Sequence, residues 1–245
     1  MKECSKSIQR RLREPQFLQK YFKGDGLDIG GKPDPLSLYV ELFPLISSVR
    51  TWDIEDGDAQ FLESVQENHF DFVHSSHCLE HLHDPHEGIK NWLRVLKPGG
   101  FLVITVPDED LYEQAQFPPS TFNKDHKWTF TIFKHQSWSA KSINIFSMLM
   151  NLSNAKVCSL KLLDSEYRYD ISRYDQTLSP VAECGIEIII QKYTEYQLQN
   201  NGMHQQVSYT TSAEMRTHLN QYKNDLSTLK LANSDNPPFH DQSNF

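Results

Sequence analysis

The feature that most constrains the fold is a regular alternation of strand-like and helix-like segments between residues 24 and 107. The strand-like segments are GLDIG, VRTWDI, FDFVHSS and FLVITVP, which start at residues 26, 49, 70 and 101. Strands that alternate with helices are typical of βαβ units, which build a parallel sheet with helices on both faces. The sequence therefore predicts a doubly wound, Rossmann-like α/β sheet.

The segments between and after these strands extend the same pattern. Apolar spacing predicts helices over 36–43, 58–66, 86–96 and 136–151. Further strands are predicted over 155–164 and 185–192. Two such late strands extend the parallel sheet with an antiparallel edge, as is common in large mixed sheets.

The domain boundary is predicted near residue 195, where Gln, Asn, Ser and Thr begin to dominate. We expect one α/β domain over 1–195, which opens with a helix over 1–22 interrupted near Pro15, and a polar tail over 196–245. The tail helix is predicted at about 211–232 from apolar residues at heptad spacing, and the end of the tail is expected to be disordered. These apolar residues are Met215, Leu219, Tyr222, Leu226 and Leu229.

A helix of this length is not stable alone, so its apolar side needs a cover. Either the domain itself or a second subunit can supply that cover, and the heptad spacing favours a homodimer.

Composition excludes several classes of protein. A net charge of -8 argues against a nucleic-acid partner, because phosphate binding needs a surplus of Lys and Arg. No apolar run approaches the roughly 20 residues of a membrane-spanning helix. The opening residues lack the apolar core of a signal peptide, and the four cysteines are scattered. We therefore expect a cytoplasmic protein with reduced thiols.

Ligands of parallel sheets bind beyond the carboxyl ends of the strands. Glycines follow the first strand, and Asp53 ends the second about twenty residues later, where a carboxylate can accept hydrogen bonds from ribose hydroxyls. An exposed turn aspartate is the alternative interpretation of Asp53. The dinucleotide fingerprint G-x-G-x-x-G is absent.

The stretch HSSHCLEHLHDPH, residues 74–86, contains five histidines and a cysteine, which raises the question of a metal site. His77 and His81 are four residues apart and could share one helical face. Asp84 and Pro85 break the run, however, and a zinc site would need ligands from elsewhere in the chain. We therefore expect no metal.

The order of the motifs carries a family resemblance. LDIGG, WDI with DGDA, FDFVHSSHCLEHLHDP and LKPGGFLVITVPD together closely resemble the class I S-adenosylmethionine-dependent methyltransferases over about residues 24–110. The compact methyltransferases found near sugar and cell-surface glycan genes look most similar. A Leu-Glu-His-Leu quartet is common in this family, so Glu80 and His81 are expected without a metal.

The resemblance implies S-adenosylmethionine as cofactor and assigns roles to residues. The loop around the amino-acid end of the cofactor would contain Asp28, Gly30 and Gly31. Asp53 would hold the ribose, and Asp58 and Ala59 would lie beside the adenine. Ser76 and His77 would flank the methionine and its sulfonium.

Two departures from the family pattern stand out. Lys32 and Asp34 occupy positions where the family usually has the second and third glycines of its loop. Phe70 also follows Asp53 by only 17 residues. This spacing favours a sheet in which one strand–helix unit is trimmed, and it weakens the assignment of Asp58.

Methyl transfer mainly requires alignment of the acceptor and exclusion of water, and a hydroxyl acceptor also needs a base. The candidate catalytic residues are His126 and Asp125, with His81 behind them, and a surface loop pair is the alternative for Asp125 and His126. We expect an enzyme that methylates a small-molecule or sugar hydroxyl, with an amine as second choice. The alternative is a non-catalytic scaffold or partner-binding protein, favoured by the bulky Lys32 and Asp34.

Overall fold

A six-stranded sheet forms the centre of the molecule. A computed structural model of the chain describes residues 3–205. Its strands are β1 (Gly24–Ile29), β2 (Ile46–Trp52), β3 (Phe70–Ser76), β4 (Leu96–Pro107), β5 (Thr129–Thr131), β6 (Ser142–Asn144), β7 (Ala155–Leu163) and β8 (Gly185–Lys192). The main sheet has the order β2-β1-β3-β4-β8-β7, and β5 and β6 form a separate parallel pair.

The direction of the strands confirms the predicted fold class. β2, β1, β3 and β4 are parallel to one another, whereas β8 pairs antiparallel with both β4 and β7. The apolar residues of β4 and β8 are covered on both faces, as expected for continuous β-branched runs in the middle of a sheet.

Helices cover the two faces of this sheet. They are α1 (Glu3–Arg11), α2 (Pro85–Val95), α3 (Ile145–Met150) and α4 (Glu195–Gln199). α2 and α3 pack into the apolar core on one face. The other face is covered by α1 and a π-helical turn, Phe17–Tyr21, in which the ring of Phe17 packs edge to face against the rings of both Tyr21 and Phe22.

The segment between β2 and β3 contains neither a further strand nor an α-helix, so the predicted trimming of one strand–helix unit is confirmed. The helix predicted over 58–66 is replaced by turns. Side chains of α2 bind the backbone carbonyl groups of these turns. Arg94 donates to the carbonyls of Phe61, Leu62 and Val65. Trp92 donates to the carbonyl of Ala59. These tertiary bonds occupy the acceptors that a helix would use internally.

Three other helix predictions need correction. The helix expected over 1–22 ends at Arg11, because Pro15 cannot continue the hydrogen-bond ladder, and the chain resumes as the π-helical turn. The helix expected over 36–43 is a 3-10 helix, Leu36–Leu42. Of the region 136–151, only α3 is helical, and Asn144 caps its first turn.

A buried arginine joins α1 to the sheet. Arg11 is fully buried, and its guanidinium donates to Glu187 at 3.0 Å and to Thr105 at 3.1 Å. Its third contact is Nε2 of His74, at 2.9 Å. Burial by itself raises the pKa of Glu187, but the charges and hydrogen bonds of Arg11 and Arg10 hold that pKa below its ordinary value. A charged network therefore replaces apolar packing at the centre of this face.

No helix among residues 3–205 is long and apolar enough to cross a bilayer. The tail helix expected at about 211–232 and the end of the tail lie outside the described residues, so the homodimer stays a prediction.

Replacement of Arg11 by alanine is expected to destabilise the protein strongly. Glu187 and His74 would lose a buried partner, and breaking a buried ion pair in this way costs about 3–5 kcal/mol. Urea unfolding measures the loss. Arg13→Ala, an exposed arginine two residues away, should change the free energy of unfolding by no more than about 0.5 kcal/mol. Equal effects of the two substitutions would contradict a central role for the network.

Candidate active site

The turn after β1 contains two glycines, Gly30 and Gly31, so no side chain covers its backbone. Gly30 has a φ of +70°, and a Cβ there would lie 2.7 Å from the Cβ of Cys78. A Cβ on Gly31 would lie 2.4 Å from Oδ2 of Asp28. Both positions therefore require glycine, and the bare backbone lets a ligand approach closely.

Asp28 and His74 form the floor of this turn. Arg11 has only donors, so Nε2 of His74 must accept its hydrogen bond and the imidazole proton must be on Nδ1. That proton is donated to Oδ1 of Asp28 over 2.6 Å, while Oδ2 accepts from the backbone N–H of Leu36 at 2.7 Å. Burial lowers the pKa of His74, which keeps the ring neutral. Asp28 thus fixes the conformation of the loop as well as contributing negative charge.

The two residues that replace family glycines both line the cleft, and their side chains are engaged in other contacts. The ammonium of Lys32 forms an ion pair with Glu55. Asp34 is buried and accepts hydrogen bonds from the backbone N–H of Ser5 and from the hydroxyl of Tyr39. Asp34 therefore ties the first turn of α1 to the loop.

Most of the predicted site residues line a single cleft of about 160 Å³ beyond the carboxyl ends of β1 and β3. The predicted residues that line it are Asp28, Gly30, Gly31, Ser76, His77, His81 and His126. The cleft also includes residues that the sequence analysis did not single out for the site, among them Glu3, Cys4, Tyr112 and Asn123. α1 thus brings two side chains from the start of the chain to the site.

Four predicted residues stand outside that lining. Asp53 ends β2, and its Oδ2 accepts from the backbone N–H of Lys32 at 2.9 Å, so it adjoins the loop. Asp58 and Ala59 follow in an exposed turn, where the Asp58 carboxylate accepts from the N–H of Gln60. Asp125 is exposed and contacts Nδ1 of His81 at 2.9 Å.

Acids and histidines meet at one end of the cleft. Glu80 is fully buried, and its Oε1 lies 3.4 Å from Nδ1 of His77 and 3.8 Å from Nε2 of His126. Burial raises the pKa of Glu80, but His77, followed by His126 and His81, reverses this and holds the pKa below its ordinary value. Burial lowers the pKa of His77, and the contact with Glu80 more than compensates, so that this pKa is raised.

Two loops hold His126 in this position. Nδ1 of His126 is 2.7 Å from Oε1 of Glu113, a carboxylate on the π-helical turn Glu109–Glu113 that follows β4. The backbone N–H of Lys127 donates to the carbonyl of Glu80 at 2.9 Å. Glu113 follows the end of β4, and no sequence pattern pairs it with His126.

Polar atoms without hydrogen-bond partners converge at this end. Among the described residues, five buried side-chain atoms have none: both carboxylate oxygens of Glu80, Oε2 of Glu113, the hydroxyl of Tyr112 and Nε2 of Gln197. The first four belong to residues around His126. Since buried polar groups are nearly always paired, this arrangement indicates a polar or cationic ligand.

The loop that carries Tyr112 and Glu113 depends on Asp108. Its Oδ1 accepts from the N–H groups of Asp110 and Leu111, which caps the π-helical turn. Burial raises the pKa of Asp108 to about 6, despite the two backbone donors. The capping carboxylate is therefore costly to ionise in the folded protein.

Comparison with known proteins identifies the class to which this site belongs. A family model described as a methyltransferase domain matches residues 4–144, more than half of the chain. The chain therefore belongs to this methyltransferase family, as the resemblance predicted, and S-adenosylmethionine is its methyl donor. The bare glycine backbone and the acids of the cleft fit that cofactor, whose sulfonium and amino group are cationic.

Several solved structures are similar to the chain at low identity. A putative methyltransferase from Bacillus halodurans is 14% identical, with a TM-score of 0.49 over 76% of this chain and 99% of its own. A chain from the complex between the Haloferax volcanii Trm112 methyltransferase activator and a putative methyltransferase is 13% identical, with a TM-score of 0.48 over 79% of this chain and 91% of its own. The N-methyltransferase NodS from Bradyrhizobium japonicum is 13% identical, with a TM-score of 0.46 over 76% of this chain and 94% of its own. No curated protein sequence matches the chain.

The raised pKa of Asp108 predicts a pH-dependent effect of Asp108→Asn. The folded protein holds the Asp108 proton more tightly than the unfolded chain, so ionisation of Asp108 removes stability as the pH rises from about 4 through about 6. Asparagine keeps the capping oxygen and removes this loss. Relative to the natural protein, the variant should gain about 2 kcal/mol in free energy of unfolding between pH 4 and pH 8.

Chemical unfolding at both pH values tests the prediction, with Asp84→Asn as control. Asp84 caps α2 in the same way but from an exposed position, so its replacement should show little pH dependence. If the two variants have the same pH profile, burial of Asp108 does not cost the protein stability.

Proposed function

We propose that the protein transfers the methyl group of S-adenosylmethionine to a hydroxyl oxygen of a small molecule, sugars included. The observation that carries this proposal is the pair formed by His126 and Glu113. A carboxylate accepts but does not donate, so Nδ1 of His126 carries the proton directed at Glu113, and Nε2 is the nitrogen that faces Glu80 in the cleft. A hydroxyl needs such a group for its proton when it acts as a nucleophile.

The residues along the sheet edge would hold the cofactor. The turn at Gly30 and Gly31 would surround its amino-acid end, with Asp28 beneath. Asp53 would bind the ribose, a role supported by its contact with the backbone of Lys32. Asp58 and Ala59 would adjoin the adenine, since their turn follows Asp53 directly.

S-adenosylmethionine supplies a methyl carbon that its sulfonium already activates. The chain mainly has to align the acceptor and keep water out. Ser76 and His77 would flank the sulfonium from the end of β3. Glu3 and Cys4, on α1, line the same cleft and would limit access of water.

The acceptor end supports a hydroxyl-bearing substrate. The lone pair of His126 can take a hydroxyl proton directly or hold a cation that acidifies the hydroxyl, and both routes need the same imidazole. His81 and Asp125 form a second, more exposed pair at the rim and would assist in positioning. The many polar groups of the lining favour a polyhydroxylated acceptor, which agrees with the resemblance to methyltransferases found near glycan genes.

We also place the enzyme in the cytoplasm, as its free thiols suggest. All four cysteines are unpaired, and burial raises the pKa of Cys4, Cys78 and Cys184 to about 12. Such thiols are inert under reducing conditions.

A methyl-transfer assay tests the proposal. Sugars, phenols and aliphatic alcohols are offered with isotopically labelled S-adenosylmethionine, beside matched amines, and the products are identified by mass spectrometry. We expect label on oxygen. With the accepted substrate, His126→Gln should lower kcat by about 100-fold or more, because activation of the hydroxyl is lost.

S-adenosylhomocysteine should bind His126→Gln as tightly as the natural enzyme, which separates acceptor activation from cofactor binding. His83→Gln, an exposed histidine near the cleft, serves as the matched control and should keep full activity. Label found only on amines, or undiminished turnover by His126→Gln, would contradict the proposal.

A further inference from the structure

We propose that Glu80, His81 and His126 bind a divalent transition-metal ion at the acceptor end of the cleft. The proposal deepens the proposed function and rests on it for the role of the ion, although the binding itself can be measured without methyl transfer. It departs from the metal-free expectation, which required ligands from outside the stretch 74–86 and identified none; the structure brings His126 to that place.

The donor atoms already lie close together. One potential ligand atom from each of the three residues lies within 4.8 Å of the other two. Oε1 of Glu80 and Nε2 of His126 are 3.8 Å apart. On a tetrahedral zinc with bonds of about 2.1 Å, two ligand atoms lie about 3.4 Å apart. The Glu80–His126 pair is thus already near that separation, and the third residue, His81, is only partly buried and can move towards it.

The environment of the Glu80 carboxylate indicates a bound cation. Its side chain is fully buried and lines the cleft, yet neither carboxylate oxygen accepts a hydrogen bond from any described residue. His77 approaches one oxygen at 3.4 Å without hydrogen-bond geometry. The ion pair with His77 therefore leaves both oxygens without a hydrogen-bond donor, and a buried carboxylate in that state is destabilised unless a further group binds it.

Both histidines are oriented as metal ligands usually are. Nδ1 of His126 contacts the carboxylate of Glu113 at 2.7 Å, and Nδ1 of His81 contacts that of Asp125 at 2.9 Å. A carboxylate behind each imidazole fixes the tautomer and makes the other nitrogen a better ligand. An ordinary histidine–glutamate pair in a core would account for one of these contacts but not for both converging on Glu80.

The donor set selects the kind of ion. Two imidazoles and one carboxylate suit zinc and its first-row neighbours, whereas Mg²⁺ and Ca²⁺ prefer sites made of oxygen ligands. Three protein ligands leave a coordination position open, as in catalytic zinc sites. The hydroxyl of Tyr112, which has no partner among the described residues, lies beside His126 and could bind a substrate at that position.

An ion here would activate the acceptor hydroxyl by lowering its pKa. The hydroxyl proton passes to water. An oxygen electron pair then forms the O–CH3 bond while the S–CH3 bond breaks, and the electrons of that bond go to sulfur. The sulfonium becomes a neutral thioether, so no oxidant or further reactant is needed.

The test uses the full-length protein after treatment with a chelator and its removal. Co²⁺ is titrated in and followed by its visible absorption, and Zn²⁺ by calorimetry, with Mg²⁺ in a parallel titration. We expect one Co²⁺ or Zn²⁺ per chain, in both cases with at least 100-fold preference over Mg²⁺.

Variants locate the ion. Glu80→Gln and His81→Gln should each weaken Zn²⁺ binding by about 100-fold or more, and Glu113→Gln by about 10-fold to 100-fold through loss of orientation. His83→Gln and His86→Gln, exposed histidines of the same stretch, should leave affinity unchanged. Binding of S-adenosylhomocysteine reports that each variant is folded. Because His81 is half-exposed, its variant remains informative even if Glu80→Gln does not fold.

Two results would overturn the metal site: no stoichiometric binding at 100-fold excess of ion over protein, or affinity that survives in both Glu80→Gln and His81→Gln. Methylation of a hydroxyl that continues in excess chelator would also overturn the role of the ion, while leaving the proposed function intact. Conversely, stoichiometric Zn²⁺ binding by a protein that methylates only amines would support the metal site and reject the hydroxyl acceptor.

Discussion

The contact on which the rest of the structure depends is the chain of buried polar groups from Glu187 through Arg11 and His74 to Asp28. It joins α1 to the strands β8, β3 and β1. Each group satisfies its neighbour, and the loss of one would leave the others buried without a partner. The same groups that hold the N-terminal helix against the sheet therefore also hold the glycine turn after β1 in shape.

Two further features let a sheet of only six strands carry a polar cleft. One strand–helix unit is missing between β2 and β3, and side chains of α2 bind the remaining loop directly. At the opposite end of the cleft, Glu113 and the backbone of Lys127 bring His126 to Glu80. Acidic residues thus line both ends of the cleft.

Sequence patterns predicted the strands well because each buried strand is a local signal. The runs FDFVHSS and GIEIIIQK fall on β3 and β8 within a residue. The helix predicted over 58–66 was wrong because α2, distant in sequence, binds its carbonyls. His126 and Glu80 were each noted in the sequence, but their approach depends on contacts between loops that no local pattern encodes. The burial of Arg11 was invisible for the same reason.

The most direct test of the account is a crystal structure of the protein with S-adenosylhomocysteine. We predict its homocysteine part on the turn of Gly30 and Gly31, its ribose at Asp53, and its sulfur facing the end of the cleft where Glu80 and His126 meet. Density for the ligand in another place, or a protein that does not bind it at millimolar concentration, would contradict the assignment of this cleft as the site of methyl transfer.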